Sequence, residues 1–112
     1  MAIYKQGDIV LIPYPYTDLT NSKQRPVVVI SKDSINKKHF IVAKITSVIR
    51  NDEFSFKLDP SSLDRELKRE SEVRTNELFT VDNSLIRKKF ATMDAKALDE
   101  LIGKIIENFS TN

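Results

Sequence analysis

Arg25 stands between a polar segment, Tyr16–Gln24, and a continuous apolar run, Val27–Ile30. A guanidinium at the root of a strand is held more rigidly than one at a loop tip. It can fork two N–H donors onto a phosphate and stabilise charge developing there. It can also pair with Asp18 and pin the loop, and such ion pairs outnumber reacting arginines. A second polar interruption, Thr46-Ser47, breaks the apolar run Phe40–Ile49. Hydroxyls there need hydrogen-bond partners if buried, although threonine is also an ordinary strand residue. Tyr14 and Tyr16 offer faces for unpaired bases or for packing on the rim of a sheet. Asp18 suits an Asx turn, an orienting contact to Arg25 or a contact to a base.

The remaining composition excludes much other chemistry. The 112 residues contain no cysteine and one histidine, His39, to which no role is assigned. Disulfides, thiolate metal sites and cysteine nucleophiles are therefore ruled out. A metal would have to be held by carboxylates alone. The acidic residues do not gather near Arg25 or Thr46 in sequence, so neither a metal nor a cofactor is expected. Residues 1–56 carry eight Lys/Arg against five Asp/Glu, and residues 57–112 carry ten against eleven. A mildly basic first half is compatible with a phosphate-bearing partner but falls short of a strongly basic nucleic-acid binder. The length suits a single domain spanning 1–112. No stretch approaches the roughly 20 apolar residues of a membrane span, and Met1–Gly7 has no apolar signal core. A cytoplasmic protein with no membrane association is expected.

The elements that must position these residues are short strands followed by one helix. Asp8–Pro13 is a strand, with Pro13 and Pro15 ending its regular pairing. Pro26–Ser31 is a second strand, continuous enough to be buried. His39–Ile49 is one long strand, joined through an Asn51-Asp52 turn to Glu53–Leu58, where Phe54, Phe56 and Leu58 share a face. Pro60–Arg69 allows a short helix capped by Ser61 or Ser62 and bearing Leu63 and Leu67. Eight of the eleven residues Asp64–Arg74 are charged, so only a narrow face can be buried. Glu72–Val81 is a further strand, and Leu85–Met93 a helical turn and then a strand. Leu98, Leu101, Ile102, Ile105, Ile106 and Phe109 repeat at helical spacing behind a cap at Thr92 or Asp94. Strands followed by a terminal amphipathic helix imply a mainly β, α+β chain: a small antiparallel barrel with a helix packed on it.

The segment Gly7–Ser31 resembles the opening of the MazF/PemK-like toxin family. The matching parts are Gly7-Asp8, Pro13-Tyr14-Pro15-Tyr16, the polar loop Thr17–Lys23, Arg25-Pro26 and Val27–Ser31. The likeness continues through Val42–Ser47, Ser71–Thr75, Phe79–Asp82 and the C-terminal helix, in order over nearly the whole chain. The resemblance implies the SH3-like barrel shared by MazF, Kid and the gyrase poison CcdB. It implies a type II toxin that cleaves single-stranded RNA without a metal. In that reaction the 2′-hydroxyl attacks the adjacent phosphate, leaving a cyclic phosphate and a 5′-hydroxyl. It further implies a homodimer silenced by a cognate antitoxin.

Arg25 and Thr46 match the family's catalytic positions. Arg25 would stabilise the phosphorane-like transition state or act as acid or base, and Thr46 would bond a phosphate oxygen or help activate the nucleophile. Tyr16, Thr17, Asp18, Asn21 and Lys23 would select the RNA sequence, with Lys23 on phosphate. Ser47, Arg69 and Ser71 would complete the substrate contacts. Arg87-Lys88-Lys89 could touch RNA or an acidic antitoxin tail, or simply be solvated. The same barrel also supports a gyrase-directed poison with no catalysis and a silent member that only binds RNA.

Overall fold

The computed structural model describes residues 4–14 and 23–111. The apolar residues Ile9–Ile12 form the centre of β1 (Asp8–Tyr14). The strand is entered through Gly7, whose φ of 94° lies where side chains rarely fit. β2 (Lys23–Val29) returns antiparallel, with Ile9 opposite Val28 and Tyr14 opposite Lys23. Pairing thus continues through Pro13, past the end that its missing donor predicts, and β2 starts three residues before Pro26. On the other side β2 is laddered only through Val27–Val29. Lys23–Pro26 is therefore an edge there, and a proline costs no bond on that side.

That next strand is β3 (His39–Thr46), which also pairs with β5 (Glu72–Asp82) from His39 opposite Asp82 to Thr46 opposite Glu72. β4 (Ser55–Lys57) lies on the far side of β5, and β6 (Lys88–Thr92) on the far side of β1. The order is β4-β5-β3-β2-β1-β6, antiparallel throughout. β3 stops at Thr46, three residues short of the expected Ile49, because its partner strand begins at Glu72. Residues 47–50 leave the sheet, and Val48 and Ile49 are exposed.

The expected barrel is present as a six-stranded antiparallel sheet that is not closed. Among the described residues β4 and β6 share no ladder. The segment after β4 crosses the gap instead. Leu63 makes one antiparallel bridge to Met93, the Asp64 N–H donates to Thr92 C=O (3.2 Å), and the Asp94 N–H donates to Ser62 C=O (2.8 Å). A strand is not available there because Pro60–Ser62 forms a 3₁₀ turn. Asp59, not Ser61 or Ser62, caps that turn by accepting from the Ser61 N–H at 2.9 Å.

The alternation of each strand sorts its side chains into two cores. Ile9, Val28, Ala43, Ile45 and Val73 pack under α1 (Ala95–Ile106), which contributes Ala97, Leu101 and Ile105. Val10, Ile12, Val27, Val29, Phe40, Val42 and Val81 form the second core with Ile86. Asp94 caps α1 by accepting from the Ala97 N–H at 2.8 Å. The helix is shorter than its apolar repeat, since Glu107–Phe109 tightens into a 3₁₀ turn, and Ile106 and Phe109 are exposed. Among the described residues no helix is long and apolar enough to cross a membrane.

Candidate active site

Arg25 is the third residue of β2, exposed, with its backbone opposite Ile12. Val27 pairs with Lys44 on β3. Continuing that register beyond the last ladder pair sets Arg25 opposite Thr46. By alternation both lie on the face that carries Val27 and Lys44. The second core thus ends at a polar rim. A groove of about 340 Å³ opens there, lined by Arg25, Thr46, Ser47 and Ser71 together with Lys44 and Phe79. Among the described residues no carboxylate pairs with Arg25.

Thr46 is half-buried, and its Oγ1 accepts the Val48 N–H at 3.1 Å. With one lone pair so engaged, the hydroxyl keeps its proton to donate to another acceptor. Ser47 is exposed on the same groove. Ser71 is buried, and its Oγ donates to Arg69 C=O at 3.0 Å. That bond sits in a turn which carries Arg69 away. Its side chain lines a neighbouring pocket with Leu63 and Leu67 and does not reach the Arg25 groove. Lys23 is exposed at the start of β2 and does not line the groove either. Tyr16, Thr17, Asp18 and Asn21 lie outside the described residues, as does the Tyr14 side chain. The question of an Asp18–Arg25 pair therefore lies there too. His39 sits at the opposite end of β3, exposed, 3.6 Å from Asp82.

Sequence reading missed two groups beside the groove. Lys44 precedes Thr46 by two residues and shares its face. It pairs with Glu77 at 3.5 Å, and the alternation of β3 was the available signal. The second group is a buried charge network. Between Ala43 opposite Leu78 and Ile45 opposite Val73, two steps along β3 face five along β5, so β5 bulges. The bulge carries Arg74, only 4% exposed. Its Nη1 and Nη2 donate to the two Asp52 oxygens at 2.9 and 3.1 Å. Nη1 also donates to Glu72 Oε2 at 2.6 Å, and Nε to Glu77 Oε2 at 3.3 Å. The three acidic side chains that converge here are thus all engaged by one guanidinium.

The electrostatics follow from these contacts. The Arg74 hydrogen bonds hold the Asp52 carboxyl at about 2, below its usual 3.8. Burial alone would push Glu72 up. Hydrogen bonds from Ser55, Arg74 and the Asn51 and Arg50 amides outweigh it and hold Glu72 below the ordinary glutamate value. A carboxyl depressed by folding stabilises above its unfolded pKa and loses that contribution as pH falls through its folded one. The Asp52 contribution is therefore complete above about pH 4 and fades toward about pH 2. The Asp52 carboxyl carbon should accordingly titrate near 2 by NMR. Arg74→Met should return the midpoint toward 3.8, and an unmoved midpoint would show that Arg74 is not the cause.

An antiparallel sheet with a C-terminal helix across one face, and an arginine–hydroxyl groove on its rim, defines a small β-sheet protein. The family model of the PemK-like, MazF-like toxins of type II toxin–antitoxin systems matches residues 5–109, and the chain belongs to that family. No curated protein sequence matches it. Among solved structures, the MazE–MazF complex of Deinococcus radiodurans superposes with a TM-score of 0.76 at 19% identity, covering 96% of this chain and 99% of that one. An endoribonuclease from a mycobacterial species gives 0.74 at 13% identity, covering 96% and 91%. An endoribonuclease in complex with its cognate antitoxin, also mycobacterial, gives 0.72 at 10%, covering 96% and 99%. At these identities the likeness establishes the shared fold.

Proposed function

We propose that this toxin is a metal-independent endoribonuclease that cleaves single-stranded mRNA at the Arg25 groove. The observation that carries the reading is the meeting of Arg25, Thr46 and Ser47 in one groove at the open end of β2 and β3. Family membership and the endoribonucleases among its structural relatives support it. The RNA 2′-oxygen attacks the adjacent phosphorus while the bond to the 5′-oxygen breaks. The 2′-hydroxyl proton leaves to a base, and the departing 5′-oxygen takes one up. The products are a cyclic phosphate and a 5′-hydroxyl.

Arg25 acts electrostatically in this scheme. Its forked donors meet the non-bridging oxygens, where charge grows as the phosphorus becomes five-coordinate. Arginine is not readily deprotonated, so proton transfer is not its natural task. Thr46 donates its hydroxyl hydrogen to a phosphate oxygen. Ser47 and Ser71 add polar contacts, and Lys23 meets a phosphate further along the strand. Sequence choice falls to Tyr16, Thr17, Asp18 and Asn21, which follow the Pro-aromatic-Pro motif in the sequence. The active form is a homodimer, silenced by a cognate antitoxin in the cytoplasm; exposed Val48 and Ile49 beside the groove supply apolar surface for such contacts.

Incubating the purified chain with a long single-stranded RNA in excess EDTA tests the reaction class. Discrete fragments with cyclic phosphate and 5′-hydroxyl ends are expected. Cleavage only after Mg²⁺ is restored would overturn the metal-independent mechanism. Intact RNA under both conditions would favour a non-catalytic binder.

A further inference from the structure

The loop from Ser47 to Asn51 carries Ser47 and Val48 into the groove, yet little apolar burial holds it. Val48 is 62% exposed and Ile49 44%. Its backbone is pinned at two places instead. Near the start, Thr46 Oγ1 accepts the Val48 N–H. At the far end, Glu72 Oε1 accepts the N–H groups of Arg50 (3.3 Å) and Asn51 (3.4 Å). Asn51 has a φ of 50°, a left-handed conformation that asparagine tolerates better than most residues and that turns the chain toward β4. Glu72 is itself fixed. It lies on the interior strand β5 opposite Thr46, is 2% exposed, and accepts from Ser55 Oγ (2.8 Å) and Arg74 through its other oxygen.

We propose that Glu72 is a positioning residue for the groove: one carboxylate oxygen is locked by Arg74 and Ser55, and the other sets the Ser47–Asn51 loop, and with it Thr46 and Ser47, against the scissile phosphate. The proposal rests on the endoribonuclease reading for its kinetic consequence and on the hydrogen bonds alone for its structural one. Glu72 touches no substrate. Its effect is to keep the reactive hydroxyls aligned, and small misplacements of that kind cost large factors in rate.

Two substitutions disturb the device in different ways. Glu72→Asp keeps both acceptor oxygens but shortens the arm by one methylene. Glu72→Gln keeps the arm but has one acceptor oxygen, so its NH2 group must face either Arg74 or the Arg50 and Asn51 amides. Each should lower kcat by about 10-fold or more with KM nearly unchanged. Amide hydrogen exchange of the full chain supplies the second readout. Arg50 and Asn51 should exchange faster in both variants, with the Val42 amide in the sheet slow in all three proteins. Parent-like kcat in Glu72→Asp, or parent-like Arg50 and Asn51 exchange in it, would overturn the proposal. If the parent cuts no RNA, the catalytic reading fails while the exchange experiment still decides whether Glu72 sets the loop.

Discussion

Arg25→Ala is expected to lower kcat/KM for RNA cleavage by about 10²-fold or more, the usual consequence of removing a preorganised donor from developing negative charge. The fold should survive. Arg25 is exposed on the stretch of β2 that β3 does not ladder, and no described carboxylate depends on it. The melting temperature should therefore stay within a few degrees of the parent's, and a fluorogenic single-stranded oligonucleotide reads the rate. Arg25→Lys should recover little, because a point charge cannot meet two phosphate oxygens in a fork. Parent-like cleavage by Arg25→Ala would remove Arg25 from the reaction.

The largest effect on stability is expected at the buried Arg74. Arg74→Met keeps much of the volume but leaves Glu72 buried and unpaired by its guanidinium, and breaking one side of such a pair costs about 3 kcal/mol. Urea unfolding at pH 7 should show that loss as a lower midpoint with an unchanged slope. The deficit should narrow as pH falls. Without Arg74, one of the hydrogen bonds that offset burial at Glu72 is gone and its carboxyl rises relative to the parent's, so the variant takes a proton at a pH where the parent does not. Unfolding curves at pH 7 and pH 4.5 make the comparison. A deficit independent of pH would mean that lost packing, not the stranded carboxylate, sets the cost.

The charge run Asp64–Arg74 shows why this network was not legible. With eight charged residues in eleven, it reads as a solvated surface carrying a narrow apolar edge. Much of it is that: Asp64, Arg65, Glu66, Lys68, Arg69 and Glu70 are exposed. Glu72 and Arg74 turn inward because β5 has strands on both sides and a bulge where its register slips against β3. Neither feature has a local signature. Arg69 and Ser71 illustrate the same limit two residues apart. They are near neighbours in sequence, but one hydrogen-bonded turn sends Ser71 to the groove and Arg69 to the adjoining pocket.

What the sequence determined alone is what depends on neighbours a few residues away. Apolar, β-branched runs and, at Glu53–Leu58, period-two alternation predicted the strands; helical spacing and Asp94 predicted α1, and the Gly-Asp and Arg-Pro motifs predicted the family. Strand ends departed where pairing decides them: β2 began early and β3 stopped early, because a strand extends only as far as a partner offers hydrogen bonds. The tertiary structure alone decided that Thr46 shares a groove with Arg25, twenty-one residues away in the chain, and that a glutamate from a third strand holds the loop between β3 and β4. It decided also that the sheet stays open, with Leu63 and Met93 bridging its edges in place of a strand pair. Register, bulges and closure are set by pairings distant in sequence, whose energies belong to no single segment.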